Sequence, residues 1–183
     1  MEEKNTTIYF VRHAAINLKD GEAVEEDPPL NKKGIRQAQI LAEQFKKIDP
    51  KIDVIIASSM KRSIETAKVI CNELEKNYKI IPEFNEFSRR VFKRNFWEKI
   101  FWVHYFKYRG ACKKFDKIIQ NNKGKKILFV IHGNVIRGLL GYKLGLSLKK
   151  INYFSYNNAN ISRLTFKGKK LNTVSYFNSK VLF

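Results

Sequence analysis

The dipeptide Arg12-His13 closes an apolar run, Thr7 to Val11, and is followed by two small residues. A protein core has no use for two nitrogen-rich side chains in succession. A strand that opens into a cleft does, because there they can meet an anion. Three more such sites lie further along the chain. Ser58, Ser59 and Arg62 follow the apolar run 53–58, Glu83 and Glu86 follow a short run near residue 80, and His132, Gly133 and Asn134 follow the run 125–131. Arginine forks suit a tetrahedral phosphate because their N–H donors lie in fixed planes. His and Glu supply the groups a nucleophile and a general acid require. A single histidine at a strand end usually serves packing, and a single arginine usually serves an ion pair. Two of each, with a glutamate, leaving successive strands favour one anion pocket. His104, the third histidine, has no such company and reads as a surface residue. The spacing of His, Cys, Asp and Glu suggests no metal cluster, and the chemistry calls for no cofactor.

The elements that must carry these residues alternate. Residues 7–11, 53–58, 78–81 and 125–131 are short apolar runs of the kind buried in a parallel sheet. Asn31 is placed to cap a helix in which Ile35, Ala38, Leu41, Ala42 and Phe45 recur at helical spacing. A second helix carries Ile64, Ala67, Ile70, Cys71 and Leu74 on one face, and a third runs from Val135 to Gly145. Residues 161–177 read as two strands around a Lys-Gly turn. Strand and helix in alternation give an α/β three-layer sandwich with a mainly parallel sheet, in a single domain spanning residues 1–183. In such sheets ligands lie beyond the carboxyl ends of the strands, where the singled-out residues fall. A helix beginning after His132 adds backbone donors to that edge.

Residues 88–122 depart from this rhythm. Nine aromatics stand between Phe92 and Phe115 with basic residues in the gaps. Phe92, Phe96, Ile100 and Val103 share one helical stripe; Trp97, Phe101, Tyr105 and Tyr108 share another. The segment reads as a helical lid inserted beside the site, and some of its rings could equally pack on the domain.

Composition narrows the class. A chain of 183 residues, 44% hydrophobic, can bury a core and is not a disordered tail. No apolar run is long enough to span a bilayer, and the polar, acidic start is unlike a secretory signal. Cys71 and Cys112 form no disulfide framework and fit a reducing compartment, the cytoplasm. Lys and Arg outnumber Asp and Glu by 36 to 17, for a net charge of +19, and after Glu98 the acidic residues reduce to Asp116 among eighteen Lys and Arg. A face of that sign attracts anions: a phosphorylated metabolite, a phosphoprotein, nucleic acid or an acidic membrane. Solvated lysines without a partner give the same composition.

Taken together, "VRHAAIN", "SSMKRSIETA", "FNEF" and "VIHGNVIRG" resemble the histidine phosphatase superfamily, also called phosphoglycerate-mutase-like, from about Thr7 to Phe166. "NNANIS" and the second and fourth motifs look nearest to its protein phosphatases for phosphoserine and phosphothreonine. The resemblance implies a phosphatase working through a phosphohistidine. His13 matches the nucleophile, Arg12, Arg62 and His132 complete the phosphate pocket with Gly133, and Glu86 matches the proton donor, with Glu83 competing. Ala14 replaces the usual glycine after the histidine. Lys19 stands where many members have a polar residue, often Asn, and Asn17, two positions earlier, is the candidate for its role. "SRRVFKR" replaces the usual glycine-rich run after the donor. Two alternatives remain at this level. One is mutase-type phosphoryl transfer; the other is a basic nucleic-acid- or membrane-binding module with a phosphatase-like pocket.

Overall fold

The computed structural model describes residues 4–17, 27–48, 51–89, 91 and 99–180, with the side chains of residues 99 and 100 outside that set. Strands β1 (Thr6–Arg12), β2 (Val54–Ala57), β3 (Tyr78–Ile80), β4 (Lys126–Ile131), β5 (Ile161–Lys167) and β6 (Lys170–Ser179) form one sheet in the order β3-β2-β4-β1-β5-β6. The first four strands are parallel; β5 runs antiparallel to β1, and β6 antiparallel to β5. Helices α1 (Lys32–Ile48), α2 (Lys61–Leu74), α3 (Lys99–Asn121), α4 (Gly133–Lys143) and the short α5 (Leu148–Ile151) flank it. The architecture is the α/β sandwich that the alternation implied.

The central strands are apolar on both faces and therefore separate two cores. Ile8 and Phe10 of β1, Ile127, Phe129 and Ile131 of β4, and Ile56 of β2 pack with Phe101, Tyr108, Phe115, Ile136 and Leu139 of α3 and α4. The alternate residues Tyr9, Val11, Leu128, Val130, Ile55 and Ala57 pack with Leu41, Phe45, Ala67 and Ile70 of α1 and α2. Period two along each strand thus feeds both layers.

Local signals behave as their chemistry requires. Asn31 caps α1 by accepting from the Gly34 N–H at 2.8 Å. Gly34 itself is obligatory: a Cβ there would lie 2.0 Å from the Ala15 carbonyl oxygen, so α1 sits directly on the loop after β1. Gly168, at φ +57°, makes the turn between β5 and β6. Both cysteines are buried and unpaired with each other. Ile35 differs from expectation, being 47% exposed, because the buried stripe of α1 runs through Gly34, Ala38, Leu41 and Phe45.

α3 resolves the aromatic segment in part. Phe101, His104, Tyr108, Ala111, Cys112 and Phe115 face inward, while Trp102, Val103 and Phe106 face solvent. His104 is therefore not a surface residue: it is buried, and its Nδ1 accepts from the Ser88 N–H at 3.3 Å. It lies one helical turn from Phe101 and Tyr108, on the face that meets the core. Phe92, Phe96 and Trp97 lie outside the described residues, as does Lys19. Asp116, the lone acidic residue after Glu98, is accounted for by an ion pair with Lys143 and a 2.7 Å hydrogen bond from the Tyr142 hydroxyl. No helix among the described residues is long and apolar enough to cross a membrane.

Candidate active site

Strand register brings the two histidines together. Arg12 pairs with Ile131 across β1 and β4, so His13 and His132, each one residue later, emerge side by side. The His13 N–H donates to the Ile131 carbonyl at 2.8 Å, and the ring centroids lie 5.1 Å apart. On the other side of β4, β2 ends at Ala57, which places the hydroxyl of Ser58 2.7 Å from His132 Nε2. That hydroxyl also accepts from the Met60 N–H at 3.3 Å. With the hydroxyl donating to Nε2, the His132 proton resides on Nδ1, a buried atom with no hydrogen-bond partner among the described residues.

The polar residues of "SSMKRSIETA" fasten α2 to its neighbours. Ser63 donates to the Val130 carbonyl at 2.6 Å and accepts from the Ser58 N–H at 3.0 Å. Thr66 donates to the Arg62 carbonyl at 2.7 Å and accepts from the Ala14 N–H at 3.0 Å. Arg62 is held between them, 1% exposed, with its Nη1 3.3 Å from Asp27. Asp27 also accepts from the Lys61 N–H at 2.6 Å. Asp27 was not singled out in the sequence; it stands far from any strand end, and only the fold brings it here.

The segment 155–160 closes the other flank. Arg12 donates from Nη1 to the Tyr156 carbonyl at 2.5 Å, and the Tyr156 hydroxyl is fixed by Ser162 at 2.8 Å. Asn158 donates to the His13 carbonyl at 3.0 Å. The His13 Nδ1 lies 2.9 Å from the Ala14 carbonyl, so Nδ1 carries the proton and Nε2 keeps its lone pair. Gly133 opens α4 against Arg12, where a Cβ would lie 3.4 Å from the guanidinium Nε.

The two glutamates differ. Glu83 is exposed and bonded to Lys114 at 2.9 Å, which holds its carboxyl below the usual range. Glu86 lines a cleft of about 410 Å³ with Arg12, Gly133, Asn134, Arg137, Tyr156 and others. Its Oε1 is shut away from solvent without a partner among the described residues, and burial pushes its pKa up to about 7 against the pull of Arg12, Arg62 and Arg137. Burial lowers His13 to about 3, with Arg12 and Arg62 acting in the same direction, and holds His132 well below its ordinary value. Both imidazoles are therefore neutral near pH 7.

Arg12, His13, Arg62, Glu86, His132 and Gly133 thus converge. Asn17 is not among them: it is exposed, and its amide oxygen accepts from Asn31 at 2.9 Å, with no hydrogen bond to the cluster among the described residues. Its position on the surface loop after His13 gives it a nearer partner at the start of α1.

The chain belongs to the histidine phosphatase superfamily (branch 1). The match runs over residues 8–100 and 108–179. A protein of Schizosaccharomyces pombe named "Probable phosphatase" is 38% identical over 66 residues, a stretch covering 34% of this chain and 31% of that protein. Among solved structures, the alpha-ribazole phosphatase of Shigella flexneri superposes with a TM-score of 0.80 at 19% identity, over 97% of this chain and 98% of that one. The phosphoserine phosphatase of Entamoeba histolytica, in complex with 3-phosphoglyceric acid, gives 0.77 at 20% identity over 95% and 97%. The phosphoglycerate mutase of Bacillus anthracis gives 0.78 at 17% over 98% and 95%. These structural likenesses establish the shared fold.

Proposed function

We propose that this protein is a phosphatase that hydrolyses a phosphomonoester through a phosphohistidine on His13. The observation that carries the reading is a pair of neutral, adjacent imidazoles flanked by Arg12 and Arg62, with a carboxyl poised near neutrality beside them.

His13 Nε2 attacks phosphorus in line, forming the N–P bond as the P–O bond to the alcohol breaks. Arg12, Arg62 and the His132 Nδ1–H meet the charge developing on the phosphoryl oxygens, aided by the first turn of α4. Protonated Glu86 gives its proton to the departing oxygen. Water then attacks phosphorus, Glu86 takes a proton from it, and the N–P electron pair returns to His13. Splitting the reaction into two displacements is the logic of covalent catalysis.

The substrate class this supports is a phosphorylated small molecule; a phosphopeptide would have to enter a cleft at the lower end of ligand-site volumes. Acid quench during the first turnover should trap acid-labile phosphate on the wild type and none on His13→Ala. Hydrolysis retained by His13→Ala would overturn the assignment. Assaying phosphate release beside isomerisation of a phosphoglycerate separates hydrolysis from mutase-type transfer.

A further inference from the structure

A second cavity, of about 530 Å³, lies between α1 and the segment 157–160. Asn157 lines both this cavity and the cleft, but Arg12, His13, Arg62, Glu86 and His132 do not line it. Its volume is that of a small-molecule site, and the steps above leave it unused.

Carboxamides dominate its wall. The Gln37 oxygen accepts from the Ala15 N–H at 2.9 Å, which leaves the Gln37 amide N–H groups to donate. Asn158 and Asn160 are held the other way round. Asn158 donates from Nδ2 to the His13 carbonyl at 3.0 Å, and Asn160 from Nδ2 to the Asn178 carbonyl at 2.6 Å. Each keeps an amide oxygen that accepts no hydrogen bond among the described residues. Gln44 Oε1 is buried without a partner, an acceptor whose lost hydration nothing offsets until a rotation of the amide presents it to a donor.

The rest of the lining narrows the ligand. Leu41 and the 54%-exposed Ile40 offer apolar surface. Lys33, in the first turn of α1, and Lys180, after β6, are exposed ammonium groups, neither paired with a carboxylate among the described residues. The matching ligand therefore has apolar faces, donors and acceptors along an edge, and an anionic group. A sugar phosphate lacks the apolar faces, and a fatty acid lacks the polar edge. Adenine has both, since its amino group donates and its ring nitrogens accept, and side-chain amides pair with it at two points. A nucleoside triphosphate would bring a magnesium ion, and no carboxylate among the described residues lines the cavity to hold one.

We propose that this cavity is a second ligand site, separate from the catalytic cleft, for an adenine nucleoside monophosphate, with the base among the carboxamides and the phosphate met by Lys33 and Lys180.

Equilibrium dialysis against the methylenephosphonate analogue of adenosine monophosphate, whose C–P bond resists hydrolysis, reads the site whether or not the cleft is a phosphatase. The wild type should bind the analogue saturably. Lys33→Glu and Lys180→Glu should each weaken that binding by about tenfold or more, the scale of a charge-assisted hydrogen bond, while kcat/KM on p-nitrophenyl phosphate stays within about twofold of wild type. The corresponding ribose methylenephosphonate, which lacks the base, should also bind about tenfold more weakly. Equal affinity for the base-free analogue would overturn the nucleotide assignment. Unchanged affinity in both lysine variants would place the ligand elsewhere and overturn the site. So would competitive inhibition of p-nitrophenyl phosphate hydrolysis with a constant equal to the dialysis Kd, which would put the ligand in the catalytic cleft. Absence of saturable binding to the wild type would overturn the proposal outright, leaving the phosphohistidine reading untouched.

Discussion

The two ends of the cleft are built differently. The phosphate end is made from the ends of β1, β2 and β4, whose register sets His13 beside His132, with His132 beside the Ser58 hydroxyl, His13 and Arg12 held by backbone carbonyls and Arg62 by Asp27. The leaving-group end is made from the segment after β3, the wall at residues 152–157 and the first turn of α4. Its shape depends on side chains meeting across loops, as Asn134 meets Phe87 and Arg89 meets Asn152. Rigid strand ends suit a group that never changes, the phosphoryl, whereas a wall of loops suits the part that distinguishes substrates.

The largest effect should come from the phosphate end. Arg62→Leu removes a buried guanidinium aimed at transferring charge, and kcat/KM should fall by about 10³- to 10⁵-fold on every phosphoester alike. If the loss varied strongly with the alcohol, the division between the two ends would be wrong.

Glu86 belongs to the leaving-group end and should show it. Glu86→Gln should cost about 10²- to 10⁴-fold on an alkyl phosphate and much less in the first step on p-nitrophenyl phosphate, whose phenolate leaves without a proton. The wild-type rate of that first step on alkyl substrates should fall as pH rises through about 7 and the acid ionises, and the variant should lose this limb. Burst kinetics across a leaving-group series would measure both, and equal slopes for wild type and variant would exclude Glu86 as donor. Stability should fall over the same pH range, so the substitution that costs activity should raise stability there. A folded-state pKa raised above the unfolded value means that stability is full below about pH 4.5 and declines as pH rises to about 7. Glu86→Gln removes that penalty, so thermal unfolding at pH 8 should show the variant more stable by roughly 1–3 kcal/mol.

The same division explains what could be read from the chain. Arg12, His13, Arg62 and His132 were legible because a strand end is visible as the last residue of an apolar run, and the sheet does the rest. Asn17 misled because its side chain sits on a loop, where a local partner, Asn31, decides its direction. Asp27, Arg89 and Arg137 were missed for a related reason. Their places depend on contacts across 35, 63 and 17 residues of sequence, and no periodicity records them. His104 and Ile35 were misplaced by the phase of a helix, which spacing gives only to within a residue or so.

The smallest effects should lie on the outer face of α3, which supports the leaving-group end from behind. Phe87, next to Glu86, packs edge-on against Tyr108 with ring centroids 6.0 Å apart, and the inward face continues through Phe101. Phe101 is 1% exposed, so Phe101→Ala should cost about 3–5 kcal/mol by emptying a packed site. Phe106, five residues on, is 66% exposed, and Phe106→Ala should change stability by no more than about 0.5 kcal/mol. Chemical denaturation of the two variants at one pH measures the contrast. The sequence reading of this segment as a lid requires something different of the outer face: that Trp102 and Phe106 alter selectivity among substrates without altering stability. If Phe106→Ala and Trp102→Ala leave both unchanged, the rings of α3 serve the core alone. If Phe106→Ala instead costs as much as Phe101→Ala, the outer face is packed as well, and α3 is a core helix on every side.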